Sequence, residues 1–545
     1  MKTTTLIADS KRWSWVVVAM LSAFVMTVAP LVVIFGGSID APAVWVKTAV
    51  AGWGQGSDDL SFWYPRTAHD KLHGGLLVEG FDQESCHSRY QSAMYRRNPG
   101  RKPSEYLVSK LRRHEVLQRR CGPGTAAYSN ALEQLKSGKN AASPECTYLV
   151  SISYRGLGNR ILAAASAFLY ALLTDRVLLV DPSNEMDGLF CEPFLNTTWL
   201  LPRGFPLWDY PGFYLDTAER YGKMRENGVL RTDVMTGSSA APEMPAFAYI
   251  HLDYNQTEYD QLFFCDEDQQ MLLNFQWLLM RTDSYIVPGL FFLKAFQEEL
   301  DMLFPERDTV FHHLGGYLFH PTNHVWGLIT RYYRAHLAWA QRRVGIQVRV
   351  FPWQAESPEL LERITTCTQE EGLLPGVLDT EQPAVSTAKT APSVKSSAVV
   401  ITSLKAWYYE QMKSMYWENA TANGEVVVVN QPSHEEFQHY GVKSHEYKAW
   451  AEIYLLSLTD MLVTTGKSTF GYVAQGLAGL RPWVLLNQQA NGTAGHNQPC
   501  SRDMSMEPCF HIAPLYDCKR LKGSGTIVPH VRHCEDVPQG LKLVE

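Results

Sequence analysis

Alternating segments of two different periods predict an α/β protein with mostly parallel sheets, built as two lobes that face a cleft. Apolar runs of strand length, such as TYLVSISY (147–154) and AVVITS (398–403), alternate with helix-length segments such as RILAAASAFLYALL (160–173). These runs gather into two regions that part near residue 340, and 46% hydrophobic residues against 19% charged supply enough apolar side chain for a large core. That balance excludes disorder as the overall state. A net charge of −7 provides no global positive field for a polyanion, so nucleic acid is not an expected partner.

The chain of 545 residues opens with a tail, residues 1–12, that carries Lys2, Lys11 and Arg12. Residues 13–35, WSWVVVAMLSAFVMTVAPLVVIF, hold no charged side chain, and a helix of that length spans a bilayer core of about 30 Å. They are expected to form one transmembrane signal anchor, with Pro30 tolerated inside it. Basic residues before the span, against Asp40 and Lys47 after it, place the N-terminus in the cytoplasm. The apolar run exceeds the core of a cleaved signal peptide, about 7–15 residues, and no A-x-A site follows it. Residues 36–70, rich in Gly, Ala, Ser and Asp, are expected to be a stem. The body then divides into residues 71–340 and residues 341–545, and residues 376–397 read as an inserted loop.

Beyond the span lie four N-x-S/T sequons, at Asn196, Asn255, Asn419 and Asn491. Ten cysteines, all after the span and none in C-x-x-C spacing, are expected to form disulfides in an oxidising compartment. The last four, Cys500, Cys509, Cys518 and Cys534, read as staples of an irregular C-terminal region.

Within the first lobe, strand 147–154, turn 156–159, helix 160–173 and strand 176–181 make a βαβ unit. Its loop Arg155-Gly156-Leu157-Gly158-Asn159-Arg160 sits where a strand meets a helix, so backbone N–H groups can face a polar or anionic ligand. A tight turn requiring positive φ at glycine is an equally open reading. The dinucleotide pattern G-x-G-x-x-G fails because Ile161 stands at its last position, which makes a dinucleotide oxidoreductase a distant reading.

In the second lobe, VGIQVRVF (344–351) alternates Ile346, Val348 and Val350 with Gln347, Arg349 and Phe351. An arginine there is either a diphosphate clamp or half of a structural ion pair. Strands 398–403, 425–430, 461–465 and 482–486 follow, and Ser468 or Thr469 can cap a helix over 469–479 with N–H groups open to phosphate. Met461 rules out a P-loop, which requires Gly there. Asp266 and Asp268 match a D-x-D pair, but a solvated loop is the commoner origin of so short a match. His312, His313 and His320 lack a metalloprotease spacing and read as buried or capping histidines. Asp283 stands where either a general base or a turn cap fits.

Taken together, YRGLGNRILAAASAFLYALLTDRVLLVD, VGIQVRVF and STFGYVAQGLAGLRPW resemble the three motif blocks of the plant cell-wall fucosyltransferases. The resemblance extends over most of the chain from about residue 71, through segments such as GGLLVEGFDQESCHSRY, VFHHLGGYLFHPTN, MSMEPCFH and VPHVRHCED. It implies a GT-B-like fold of two Rossmann-like lobes, acceptor-side over 71–340 and donor-binding over 341–545. It also implies a type II Golgi membrane enzyme, its catalytic part lumenal, that transfers fucose from GDP-fucose to O2 of a galactose with inversion and without a metal or other cofactor.

Carried over by position, Arg349 neutralises the donor diphosphate, with Gly156, Gly158, Asn159, Arg160, Ser468, Thr469 and Phe470 also on the donor side. Asp283 is the candidate base. Gly466-Lys467 stands where the family more usually has a small residue and Trp. The expected acceptor is a galactosylated wall polymer, xyloglucan side chains first and arabinogalactan as the alternative. The expected partners are the Golgi membrane through residues 13–35, and a second copy or another Golgi glycosyltransferase. A reading of another class is a non-catalytic, membrane-anchored glycan-binding protein on the same fold.

Overall fold

A computed structural model describes residues 70–96, 101–183, 185–231, 244–378, 395–439, 441–485, 498–514, 517–519 and 528–545. The tail, the anchor 13–35, the stem up to residue 69, Asn491 and most of the loop 376–397 lie outside the described residues. Among the described residues no helix is long and apolar enough to cross a membrane.

Four parallel strands form the first sheet: β1 (Tyr148–Ile152), β2 (Val177–Val180), β3 (Phe247–Leu252) and β4 (Trp277–Thr282), in the order β2-β1-β4-β3. Every residue of β1, β2 and β3 is buried, as expected of a parallel sheet covered on both faces. Six strands form the second: β5 (Arg342–Val348), β6 (Ser396–Ser403), β7 (Val426–Asn430), β8 (Met461–Thr465), β9 (Trp483–Leu485) and β10 (Ser501–Arg502). Their order is β10-β9-β8-β5-β6-β7, all parallel except the antiparallel edge strand β10. A short antiparallel pair, β11 (Val531–His533) with β12 (Leu541–Leu543), closes the chain.

The longer helices are α1 (Glu105–Cys121), α2 (Ala126–Lys136), α3 (Leu157–Leu173), α4 (Lys294–Leu303), α5 (Val310–Leu318), α6 (Asn323–His336), α7 (Pro358–Glu370), α8 (Trp407–Glu418), α9 (Lys443–Ser457) and α10 (Thr469–Ala478). Almost every side chain of α3 is buried, including five alanines and Phe168, because the helix is apolar on all sides and lies between the first sheet and α10. Helix α10 in turn packs against α3, α5 and α9. Its Gly476 admits the Phe311 ring, which a Cβ would meet at 2.4 Å.

Two expectations need correction. The strand around Arg349 ends at Val348, so Arg349 lies one residue past its carboxyl end and not within it. The last four cysteines do not staple one another: only Cys509–Cys534 joins two of them. Cys500 bonds Cys367 on α7 and Cys518 bonds Cys265, so the C-terminal segment is fastened to both lobes. Cys86–Cys191 and Cys121–Cys146 complete the pairing, and no cysteine is free.

Candidate functional site

The carboxyl ends of the parallel strands, where open α/β sheets bind ligands, bring the expected residues together around the N-termini of α3 and α10. Helix α3 starts at Leu157, so GLGN is not a loop ahead of a helix but its first turn, with Gly156 as the N-cap. Neither Gly156 nor Gly158 adopts positive φ, which removes the tight-turn reading. The need at Gly158 is space: a Cβ would stand 2.8 Å from the Thr469 carbonyl carbon, oxygen and Oγ1, so the glycine lets the two helix N-termini touch.

Asn159 joins the two motifs. Its Nδ2 donates to the Asp283 carbonyl oxygen (2.7 Å), and its Oδ1 accepts from Thr469 Oγ1 (3.1 Å). Asp283 follows the end of β4 and is buried. Its carboxylate accepts from Ser153 Oγ at 2.5 Å and from Arg155 Nε at 3.4 Å, and the Arg155 side chain is 59% exposed. Arg160 does not point at a ligand. It is buried and pairs with Glu446 of α9 at 2.5 Å, while its Nε donates to the Arg155 carbonyl, tying α3 to α9.

Arg349 sits beyond β5, its backbone N–H donating to Thr465 Oγ1 at the end of β8 (2.8 Å). Thr465 Oγ1 in turn donates to Gln347 (3.2 Å), which fixes the strand end beneath the guanidinium. The Arg349 guanidinium carbon lies 4.6 Å from the Phe351 ring centroid, and Phe351 stacks on Trp353 at 4.5 Å. A cleft of about 90 Å³ opens here, lined among others by Arg349, Phe470, Ser403, Ser433, Glu435 and Glu452. Burial pushes the Glu452 carboxyl up to about 7. Ser468 does not face the cleft: it is buried, and its Oγ accepts from the Gly471 N–H as the cap of α10. Lys467, in the left-handed region at φ 60°, donates its N–H to Asp536 at 2.7 Å.

The residues that superficially match metal ligands have other partners. Asp268 accepts from Tyr221 at 2.5 Å and pairs with Arg225 at 2.7 Å, while Asp266 accepts the Ala295 N–H. His312 and His313 are buried, and burial lowers their imidazoles to about 3 and about 4, so both are neutral. Burial also drives His320 well below the usual range. Among the described residues, no group of three ligand atoms close enough to share an ion includes any of them.

A network that sequence reasoning did not assign lies beside Asp283 and Arg349. His511 bridges the Tyr254 and Tyr472 hydroxyls, each at 3.2 Å, and Tyr472 donates to Asp536 at 2.5 Å. Burial holds His511 below its ordinary value, and Tyr254 is exposed with Arg155, Asp283 and Arg349 all within its electrostatic reach. Deeper still, Tyr285 Oη and the Phe311 N–H both donate to Glu507, at 2.6 and 2.7 Å. These partners come from MSMEPCFH and VPHVRHCED, too far along the chain from the motif blocks for spacing to reveal them.

A family model described as xyloglucan fucosyltransferase matches residues 55–519. A galactoside 2-alpha-L-fucosyltransferase from Pisum sativum is 50% identical over 500 residues, covering 90% of this chain and 85% of the relative. One of the same name from Arabidopsis thaliana is 52% identical over 483 residues, 87% and 83% of the two chains. The solved structure of an arginine-to-lysine mutant of Arabidopsis thaliana FUT1 in complex with GDP superposes with a TM-score of 0.77 at 50% identity. It covers 87% of this chain and all of that one.

Proposed function

This chain belongs to the xyloglucan fucosyltransferase family, and from that premise we propose that it transfers L-fucose from GDP-fucose to O2 of a galactose on a plant cell-wall polysaccharide, with inversion. The observation that carries the reading is the convergence, through Asn159 and Thr469, of the Asp283 strand end with the cleft lined by Arg349 and Phe470.

Each residue then has a task set by its chemistry. The planar fork of Arg349 meets the diphosphate as it leaves and gathers charge. The open N–H groups at the start of α10 lie beside it, and Phe470 forms cleft wall. Asp283 faces the acceptor hydroxyl. Ser153 and Arg155 hold its two oxygens, and a transition state whose bond to diphosphate is largely broken before the acceptor proton moves asks little of the base. Arg160, spent on Glu446, holds the helices that shape the cleft. No divalent cation is needed in this scheme, since Arg349 supplies the positive charge and the candidate acids Asp266 and Asp268 are engaged elsewhere.

The anchor 13–35 would hold the enzyme in the Golgi membrane with residues 71–545 in the lumen, a placement that five disulfides support. Galactosylated xyloglucan is the first acceptor, arabinogalactan the second. The test is GDP release by the full chain in detergent, with and without EDTA, given GDP-fucose and a panel of galactosylated xyloglucan, arabinogalactan and pectic acceptors, with product linkage read by NMR. Turnover on xyloglucan with an α-1,2 linkage in EDTA is expected. Turnover on another polymer alone would replace the acceptor, and GDP binding with no turnover on any would favour a glycan-binding protein.

A further inference from the structure

The cleft carries opposite charges on its two walls. Arg349 stands beyond β5, while beyond β7 and along α9 stand Ser433, Glu435, His445 and Glu452, all lining the same space. Strand β6 lies between, and its end contributes Thr402, Ser403 and Leu404. Neighbouring strands are about 4.8 Å apart, so the chain leaving β7 is roughly 10 Å from the chain leaving β5. That is the distance from the phosphates of a nucleoside diphosphate to its base. A ligand that places its diphosphate on Arg349 therefore lays its ribose across the end of β6 and its base against the carboxylate wall.

The two carboxylates there are not equivalent. Glu435 is engaged by the Lys448 ammonium and the His445 ring beside it. Glu452 is held by neutral groups: its Oε1 accepts the Ser433 N–H at 3.1 Å and the Ser433 hydroxyl at 2.5 Å. Burial raises this carboxyl, and donors brought to it restore the ionised form, which accepts only, at about four lone-pair sites; Ser433 fills those on one oxygen. A polyanionic ligand repels such a wall unless its base brings donors to it. Adenine and cytosine present a donor beside an acceptor, and uracil flanks its one N–H with acceptors; guanine alone offers two adjacent donors, N1–H and N2–H₂.

We propose that Glu452, positioned by Ser433, selects guanine by accepting N1–H and N2–H₂ through Oε2. This specificity assignment rests on the donor reading above and deepens it.

The experiment is equilibrium titration of the full chain in detergent with GDP, IDP, ADP and UDP. IDP keeps N1–H but lacks the 2-amino group. The unaltered chain is expected to prefer GDP over IDP by about tenfold or more, the value of one charge-assisted hydrogen bond. Over ADP the preference should be at least about a hundredfold, since the edge then presents an acceptor to a carboxylate. Glu452→Gln should narrow the GDP-to-IDP ratio to within about twofold, Ser433→Ala should narrow it part of the way, and Arg349→Lys should weaken all four ligands alike. A ratio unchanged in Glu452→Gln overturns the assignment while leaving the donor reading intact. Should that variant not fold, an unchanged ratio in Ser433→Ala overturns it equally. Failure of the unaltered chain to bind any of the four would overturn the donor reading itself.

Discussion

Replacing Gly158 with alanine adds one methyl group at the point where α3 meets α10. The added Cβ would lie 2.8 Å from the Thr469 carbonyl carbon and oxygen and from Thr469 Oγ1. Ordinary carbon contacts begin near 3.5 Å, so the helices must part by about 0.7 Å. The obstructing atoms are mostly backbone, and α10 is backed by the Phe311 ring at Gly476, which leaves the helix little room to retreat. Overpacking of this kind costs about 1–3 kcal/mol. The same shift pulls Thr469 from Asn159, which also holds the Asp283 carbonyl, so the two halves of the site separate. Misplacement on the scale of 1 Å costs about a hundredfold in rate. Gly156→Ala is the control: its Cβ would have its nearest neighbours at 3.9 Å, and its φ of −55° suits alanine. Denaturant unfolding together with GDP release on both variants decides the matter. Unaltered stability and turnover in Gly158→Ala would show that the helix contact neither limits packing nor sets the site, and equal losses in Gly156→Ala would point to a ligand contact in place of a packing one.

Three further outcomes are expected. Arg349→Lys should lower kcat by about 10²–10³ with unfolding unchanged, because a point charge replaces a bidentate fork at the departing phosphate; wild-type rates would reduce Arg349 to a structural residue. Arg160→Ala should destabilise by about 3–5 kcal/mol by leaving Glu446 buried without its cation, and the double variant Arg160→Met with Glu446→Leu should recover most of it in denaturant unfolding. Burial pushes the Glu507 carboxyl up to about 8 from an ordinary 4.5, so the folded chain holds a proton there that the unfolded chain releases. Its contribution to stability is then full below pH 4.5 and is lost as pH rises through 8, at up to about 1.4 kcal/mol per pH unit, and Glu507→Gln should remove that slope from unfolding measured between pH 5.5 and 9.

Strands were legible where an apolar run was short and bounded: β8 was expected at its observed limits and β1, β2, β6, β7 and β9 to within a few residues. Strands β3 and β4 were not assigned as strands, although β4 is central to its sheet and ends at Asp283. In FAYIHL and WLLMRT, polar and aromatic side chains interrupt the apolar run, and only pairing makes them strands, β4 with β1 and β3 with β4. The site was legible as three motifs but not as one surface. Nothing in a linear pattern says that Gly158 is a glycine because of Thr469, or that Arg160 is committed to Glu446, since both partners are far away in sequence. The spacing that makes Arg349 look like part of a strand is likewise silent on where pairing stops; β8 pairs β5 only through Gln347, and Arg349 is released just beyond.

The C-terminal segment returns to lock what the first lobe builds. Cys518 bonds Cys265 across 253 residues, Glu507 receives Tyr285 and the start of α5, and His511 reaches Tyr254. The first lobe therefore lacks these contacts until the residues from about 498 onward have been synthesised. The consequence reaches protein engineering: the two lobes are not exchangeable cassettes. A chimaera that transplants residues 71–340 from a relative to change the acceptor must carry the matching residues from about 498 to 545 with it, or the graft will lack its keystone.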